Sequence, residues 1–336
     1  MMRVFISGFG TVGQGAMETF LLKKPDIHRI TGDLVHVVGV TDSRSYEVDE
    51  REVCGLCILG NKAVTGMAGH NLKEGKTTID IMEMCDFDTL IEATPTNVET
   101  GGEGLKNIRW ALEHGKNVIT VNKGPLALEF AELMALARKN GCELRFEGSV
   151  GGAMPIINLC TNDLAGMKIR SIQGIFNGTC NFILSRMDSG LPFEQALKEA
   201  QQLGYAETDP TYDIEGYDSA SKVVILANSV FGRDVKFKDV SVTGITSVTS
   251  EAIALAAECG MVIRLIGEVS KDKLEVSPRL IPKGHPLSIS GSLNTALINT
   301  DLAGPITVSG RGAGRKETAS AILSDLISIM KSQKKE

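Results

Sequence analysis

Apolar positions along the chain follow two rhythms that alternate. Residues 3–7 form a short apolar run ending in glycine, which predicts a buried strand. Residues 11–23 carry Val12, Ala16 and Phe20 at helical spacing. A β-branched run at 34–40 predicts a second strand ending at Asp42, and 89–93 predicts another, followed by Pro95. Helices are expected at 105–113 and 126–140, closed by Gly115 and Gly141, with strands at 117–121 and 143–146. Strands alternating with helices imply parallel βαβ units.

After Glu147 the pattern changes. Residues 149–153 are small, and a helix is expected from Pro155, where proline suits the first turn. Residues 168–176 alternate like a strand. Helical spacing follows at 179–187, 193–202 and 217–230. From 261 to 300 the pattern is strand-like, notably at 262–269 and 274–281, and 317–330 is an amphipathic helix. The expected architecture is α/β: an N-terminal parallel sheet, then an α+β domain on a mixed sheet with helices on one side. A chain of 336 residues suits two domains. They are expected at 1–147 and 148–305, with a C-terminal segment, 306–336, packing back on the first.

Composition narrows the class. Hydrophobic residues are 43%, charged residues 23% and net charge is −6, a globular balance. No basic stripe is present, which argues against a nucleic-acid partner. The basic run at 331–335 is expected to be a solvated terminus. No apolar run reaches the ~18 residues of a membrane span, and the N-terminus has no signal-peptide pattern. A soluble cytoplasmic protein is expected. The seven cysteines lie scattered, an odd count that predicts reduced thiols. Cys54 and Cys57 are spaced as CxxC, but with no second pair and no histidine cluster they are a poor zinc site.

The first chemical motif is Gly8-Phe9-Gly10-Thr11-Val12-Gly13, between a predicted strand and helix. The glycines give a tight turn, an approach for a pyrophosphate and close helix–strand packing. The helix N-terminus offers free N–H groups and positive dipole to phosphates. This predicts a Rossmann-like domain that binds NAD or NADP. An acidic residue after the second strand would bond the ribose hydroxyls, and Asp42 fills that role, later than the usual ~20 residues on. Arg44, or Lys62, could meet a 2′-phosphate instead, so the choice of dinucleotide stays open. Thr94 ends a strand on the side where ligands bind in such sheets. Lys123, in Val121-Asn122-Lys123-Gly124-Pro125, also sits where a strand ends and a helix begins.

The second motif runs from Gly204 through Tyr205, Glu207, Asp209 and Asp213 to Asp218 and Lys222. Asp218 and Lys222 stand at i and i+4 on one helix face. Carboxylates crowded near a lysine suit an α-amino group. Carboxylates and burial also act in opposite senses on a lysine's basicity, which lets it serve as a general acid.

Together these segments resemble homoserine dehydrogenases over nearly the whole chain. The match includes Gly8–Gly13, Val121-Asn122-Lys123, residues 147–152, 174–179 and 203–222, and Gly310–Gly314 with Thr318-Ala319. The resemblance implies oxidation of L-homoserine to L-aspartate 4-semialdehyde, or the reverse, with NAD or NADP. It implies Lys222 as proton donor to the aldehyde oxygen and Lys123 as the residue that orients and polarises the substrate. Glu207, Asp213, Asp218 and Tyr205 would hold the amino acid, and Gly204 and Gly312 would approach the cofactor. A monovalent cation, Na or K, would lie on Glu147, Val150, Gly152 and Met154, and the protein would be a homodimer. Hydride chemistry belongs to the nicotinamide, so the protein supplies position and a proton. The chain departs from the family at Arg311, where proline is common, and at Cys180, where a hydroxyl residue is common. Cys180 reads as a packing thiol. With no N-terminal kinase domain and no room for a sensing domain after the last helix, feedback control through such domains is not expected. Two other readings compete. A cysteine-acylating semialdehyde dehydrogenase lacks its cysteine near Ser149-Val150-Gly151. A dinucleotide-sensing regulator lacks a DNA-binding element.

Overall fold

A computed structural model describes residues 1–334 and divides them into two compact units, 1–149 with 314–334, and 150–313. The first unit begins with β1 (Met2–Ser7), α1 (Thr11–Thr31), β2 (Val35–Thr41), β3 (Ser45–Val48), α2 (Gly55–Thr65), β4 (Asn71–Leu72) and α3 (Thr78–Met82). It continues with β5 (Thr89–Glu92), α4 (Gly102–Glu113), β6 (Asn117–Thr120), α5 (Lys123–Lys139) and β7 (Leu144–Arg145). The sheet order is β4-β3-β2-β1-β5-β6-β7. β2, β1, β5, β6 and β7 pair in parallel, and β3 and β4 add antiparallel strands at one edge. The order reverses between β1 and β5. In such sheets that switch point, at the strands' carboxyl ends, is where ligands bind.

The parallel strands are rich in apolar residues because both faces are covered. Val4, Ile6, Val37, Val40, Ile91 and Ile119 share one core with Phe9, Met17 and Phe20 of the first βα unit. α1 runs on to Thr31 through Pro25, beyond the helix expected at 11–23. Proline gives up one helical hydrogen bond there, but Ile27 beyond it is buried and Thr31 Oγ donates to the Ile27 carbonyl at 2.8 Å. α2 was not foreseen. Gly60 interrupts it, and its apolar residues Leu56 and Val64 lie exposed, so the sequence shows no one-sided stripe. The cysteines are a correction: Cys54 and Cys57 form a disulfide at the start of α2, where scattered reduced thiols were expected. The spacing places their Cα atoms 5.2 Å apart, within disulfide reach.

The second unit contains α6 (Ile156–Asn158), β8 (Ile169–Ile175), α7 (Gly178–Asp188), α8 (Phe193–Gln202), α9 (Thr211–Ile214), α10 (Tyr217–Phe231), β9 (Ser241–Val242), α11 (Ser250–Glu258), β10 (Met261–Ser270), β11 (Leu274–Pro282), β12 (Leu293–Thr300) and β13 (Pro305–Arg311). Its mixed sheet has the order β13-β12-β8-β10-β11-β9. All pairs are antiparallel except β11 with β9. α10 is buried continuously from Asp218 to Asn228, so its charged residues sit inside rather than on a solvated face. On the opposite sheet face Ile175, Ile266, Ile281 and Leu297 pack with Leu287.

The chain then returns to the first unit as α12 (Arg315–Ser332). Ile322, Leu326, Ile329 and Met330 join the first core. Arg315 grips Glu18 of α1 through two bonds of 2.7 and 2.8 Å. Of the basic terminal run, Lys334 pairs with Asp33 at 3.1 Å, and Lys335 lies outside the described residues. No helix among the described residues is long and apolar enough to cross a membrane.

Candidate active site

In the first unit the glycine turn leaves β1 at the switch point. Gly8 has φ +89°, and a Cβ there would fall 2.5 Å from the Ala93 backbone. Only glycine fits both constraints. A Cβ on Gly13 would fall 2.1 Å from the Gly8 carbonyl oxygen, so α1 starts hard against the turn. Beside Gly10, the N-cap of α1, a Cβ would meet nothing within 4 Å. Phe9 is buried, Thr11 opens α1 and Val12 packs against the core. The result is an open patch over free helix N–H groups, the shape a pyrophosphate needs.

At the end of β2 the Asp42 carboxylate is fully engaged. Oδ1 accepts from the backbone N–H of Arg44 and of Ser45, each at 2.8 Å, and from Ser45 Oγ at 3.0 Å. Oδ2 accepts from Lys62 Nζ at 2.6 Å and from Ala68 N–H at 2.8 Å. Burial pushes this carboxyl up, but the bonds from Lys62, Arg44 and Ser45 outweigh it and hold it below the ordinary range. Arg44 Nη2 and Lys62 Nζ both donate to the Gly66 carbonyl, at 3.0 and 2.9 Å. Two cations therefore converge beside a carboxylate that already has its partners.

At the end of β5 Glu92 is fully buried. It accepts from Thr94 N–H at 2.8 Å, from Thr94 Oγ, and from Asn107 Nδ2 of α4 at 2.9 Å. Burial pushes its carboxyl up, against bonds from Thr94, Asn107 and Ser7. Thr94 Oγ in turn accepts from Asn122 Nδ2 at 3.2 Å. Asn122 is the N-cap of α5, its Oδ1 accepting from Gly124 N–H at 3.1 Å, and Lys123 is the first helical residue.

In the second unit the acidic motif and α10 meet the start of α7. Lys222 is 7% exposed; its Nζ donates to Asp218 Oδ2 at 2.5 Å and to the Phe176 carbonyl at 2.6 Å. Asn177 then bridges the carboxylates, its Nδ2 donating to Asp213 Oδ1 at 2.7 Å and to Asp218 Oδ2 at 2.9 Å. Its Oδ1 caps α7 by accepting from Cys180 N–H at 2.8 Å. Burial, and after it the Asp218 charge, push the Asp213 carboxyl up. Cys180 is fully buried and its Sγ donates to the Asp213 carbonyl at 3.1 Å. Burial and the two aspartates push this thiol well up, the opposite of what a nucleophile needs. Tyr212, pushed up to about 12 mainly by burial, bonds Ser221 at 2.8 Å.

Other predicted residues gather less tightly. The Tyr205 carbonyl accepts from Thr179 Oγ at 2.7 Å, and its ring lies on Phe182 with centroids 4.9 Å apart. Gly204 and Glu207 are exposed, and the Glu207 carbonyl accepts from Gln201 Nε2 at 3.1 Å. Asp209 caps the turn at Thr211, with an N–H bond of 3.1 Å, and stands apart from the buried pair. Gly152 and Gly312 come together: a Cβ on Gly152 would fall 2.6 Å from the Gly312 backbone. Val150 and Met154 are buried in the same unit, and Glu147 is buried in the first, its N–H on Asp325 Oδ2 at 2.9 Å. No cluster of three metal-ligating side chains exists among the described residues, so a cation there would rest on main-chain oxygens.

Asn177, Asn122 and Glu92 were not foreseen as site residues. The two asparagines carried a usable signal, since each follows a strand and precedes a helix, the N-cap position. Glu92 carried none, as it ends an apolar strand like any solvent-facing residue.

Residues 155–327 match the family described as homoserine dehydrogenase, and residues 8–147 match its NAD-binding domain. A homoserine dehydrogenase of Methanocaldococcus jannaschii is 48% identical, over 99% of this chain and 100% of its own. An NAD(+)-dependent homoserine dehydrogenase of Pseudomonas canavaninivorans is 40% identical, over 98% and 96%. The crystal structure of a putative homoserine dehydrogenase from Archaeoglobus fulgidus superposes with a TM-score of 0.91 at 50% identity, covering 98% of this chain and 99% of that one.

Proposed function

The chain belongs to the homoserine dehydrogenase family, and from that premise we propose which of its residues carry the reaction. It is an NAD(P)-dependent oxidoreductase that interconverts L-homoserine and L-aspartate 4-semialdehyde. The observation behind the assignment of roles is the hydrogen-bonded set of buried Asn177, Asp218 and Lys222 with half-buried Asp213.

When bound, the dinucleotide supplies or accepts the hydride. Lys222 handles the proton. Its ammonium has three N–H donors, and two are spent on Asp218 and the Phe176 carbonyl. The third is the one to meet the substrate oxygen. During reduction that oxygen gains negative charge, and Lys222 Nζ gives it a proton. In oxidation the same nitrogen takes the proton back. Asp218 fixes the lysine's position. Asp213 and Asp218, held apart by Asn177, receive the substrate ammonium, with Glu207 and Tyr205 closing over it. Lys123, in the first turn of α5, is the residue assigned to orient and polarise the substrate.

The cradle over Gly8, Gly10 and Gly13 fits the pyrophosphate. Because the oxygens of Asp42 are spent, Arg44 and Lys62 are the groups left to read the adenosine ribose, and two cations favour a 2′-phosphate, hence NADP. A monovalent cation on the carbonyls of Glu147, Val150, Gly152 and Met154 would stiffen the loop before α6. Residues 1–147 serve the cofactor, and 148–305 the substrate and a homodimer built on the sheet face away from the helices. A soluble cytoplasmic location completes the reading.

Initial rates of NAD(P)H formation from L-homoserine test this function, and no turnover with either dinucleotide overturns it. The cysteine-acylating alternative does not fit, since Cys180 is buried with its thiol disfavoured from ionising.

A further inference from the structure

We propose that Glu92 is a positioning residue for the reaction: through Thr94 and Asn122 it fixes the helix start that carries Lys123. This inference rests on the role given to Lys123 above.

Glu92 is buried without a basic partner among the hydrogen bonds it makes. A carboxyl in such a place is expensive unless its bonds do something an apolar side chain cannot. Its location supplies the reason. Glu92 pairs in register with Ser7 of β1 on one side and with Thr120 of β6 on the other. It therefore sits at the switch point, where the sheet order reverses. One carboxyl oxygen takes both the N–H and the hydroxyl of Thr94, which fixes the turn after β5. The other oxygen takes Asn107 Nδ2, which also reaches Ser7 Oγ at 3.1 Å, the last residue before the glycine turn.

The bonds continue in one direction. With its proton directed at Glu92, the Thr94 hydroxyl must accept from Asn122, so the amide of Asn122 is oriented with Nδ2 toward Thr94 and Oδ1 toward Gly124. That is the orientation an N-cap requires. The backbone repeats the link, since the Glu92 carbonyl accepts from Val121 N–H at 3.2 Å and from Thr120 Oγ at 3.3 Å. The neighbouring helix leaves room for it. A Cβ on Gly104 of α4 would fall 2.5 Å from Asn122 Nδ2, 3.0 Å from Thr94 Oγ and 3.3 Å from Glu92 Oε1. An alanine at that point would push into all three members of the relay.

A double-mutant cycle on kcat with Glu92→Ala, Lys123→Ala and the pair tests this, with circular dichroism as a check on folding. Glu92→Ala is expected to lower kcat about 30-fold or more, since a small misplacement of a reacting group is that costly. NADPH affinity should change far less than kcat. The double variant should be no slower than Lys123→Ala alone, within about twofold, because both changes remove one function. Glu92→Gln, which keeps an acceptor for Thr94, should recover most of the loss. Additive losses in the cycle, or a Glu92→Ala enzyme within threefold of the parent, would overturn the relay. A Lys123→Ala enzyme with parental kcat would instead overturn the role of Lys123, and the relay with it. If Glu92→Ala does not fold, Thr94→Val cuts the same chain of bonds and must show the same non-additivity.

Discussion

The Asn177 side chain makes three hydrogen bonds, and replacing it separates what each does. Asn177→Ala removes the cap on Cys180 N–H and the two bonds to Asp213 and Asp218. The cap contributes about 1 kcal/mol. Each bond to a carboxylate contributes about 1.5–3 kcal/mol, less whatever water restores. Folding stability is therefore expected to fall by about 3 kcal/mol. Separately, if misplacing the two carboxylates removes about 2.7 kcal/mol of transition-state stabilisation, kcat/KM drops about 100-fold. Asn177→Asp keeps a good cap but puts a third carboxylate where a donor stood. Its stability loss should be smaller than that of Asn177→Ala at the helix start, while its kcat/KM falls at least as far. Urea unfolding gives the first quantity, and NAD(P)H formation at varied L-homoserine gives the second. If Asn177→Asp retains kcat/KM within threefold of the parent, Asn177 is only a cap and the bridging role is wrong.

Gly13→Ala places a methyl group 2.1 Å from a backbone carbonyl that cannot move aside, so stability should fall by about 3 kcal/mol and NADPH affinity at least tenfold, read by protein and cofactor fluorescence. Arg44→Ala and Lys62→Ala should each weaken kcat/KM for NADP at least tenfold and leave NAD nearly unchanged; equal losses with both dinucleotides would deny a phosphate contact. Thiol titration of the unfolded chain should count five cysteines before reduction and seven after, because Cys54 and Cys57 are paired. Asp213 has its carboxyl pushed up by burial and by Asp218, so the folded state resists its ionisation. For a raised acid the sign is a loss of stability as pH rises from about 4 through the folded value. Unfolding free energy followed across that window should decline more in the parent than in Asp213→Asn.

Most of the architecture was legible because burial repeats itself along the chain. The parallel strands are largely apolar and the helices between them carry one-sided stripes, so strand and helix alternate visibly at β1, α1 and β2 and again from β5 to β7, but not through β3, β4 and α3. α2 was not legible, as its exposed Leu56 and Val64 erase the stripe that identifies a helix. The helical spacing was read only to residue 23, and α1 runs on past Pro25 to Thr31 with Ile27 buried. The chemical residues divide in a similar way. Asp218 and Lys222 could be paired from helical spacing alone, and they are 2.5 Å apart. Asp42 was foreseen as a ribose ligand, yet its oxygens go to Lys62, Ser45, Arg44 and Ala68, partners up to 26 residues away that only folding brings near. Asn177 and Glu92 act across 41 and 15 residues, on Asp218 and Asn107, and no local pattern encodes such distances.

In the proposed reaction Lys222 is the group that moves the proton. The direct measurement is the single-turnover rate of NADPH oxidation by L-aspartate 4-semialdehyde in Lys222→Ala, with NADPH affinity measured on the same protein. Loss of proton transfer and of the developing-charge partner should slow that rate by about 10³-fold or more while NADPH binds within threefold of the parent. A rate within tenfold of the parent at unchanged NADPH affinity would contradict it.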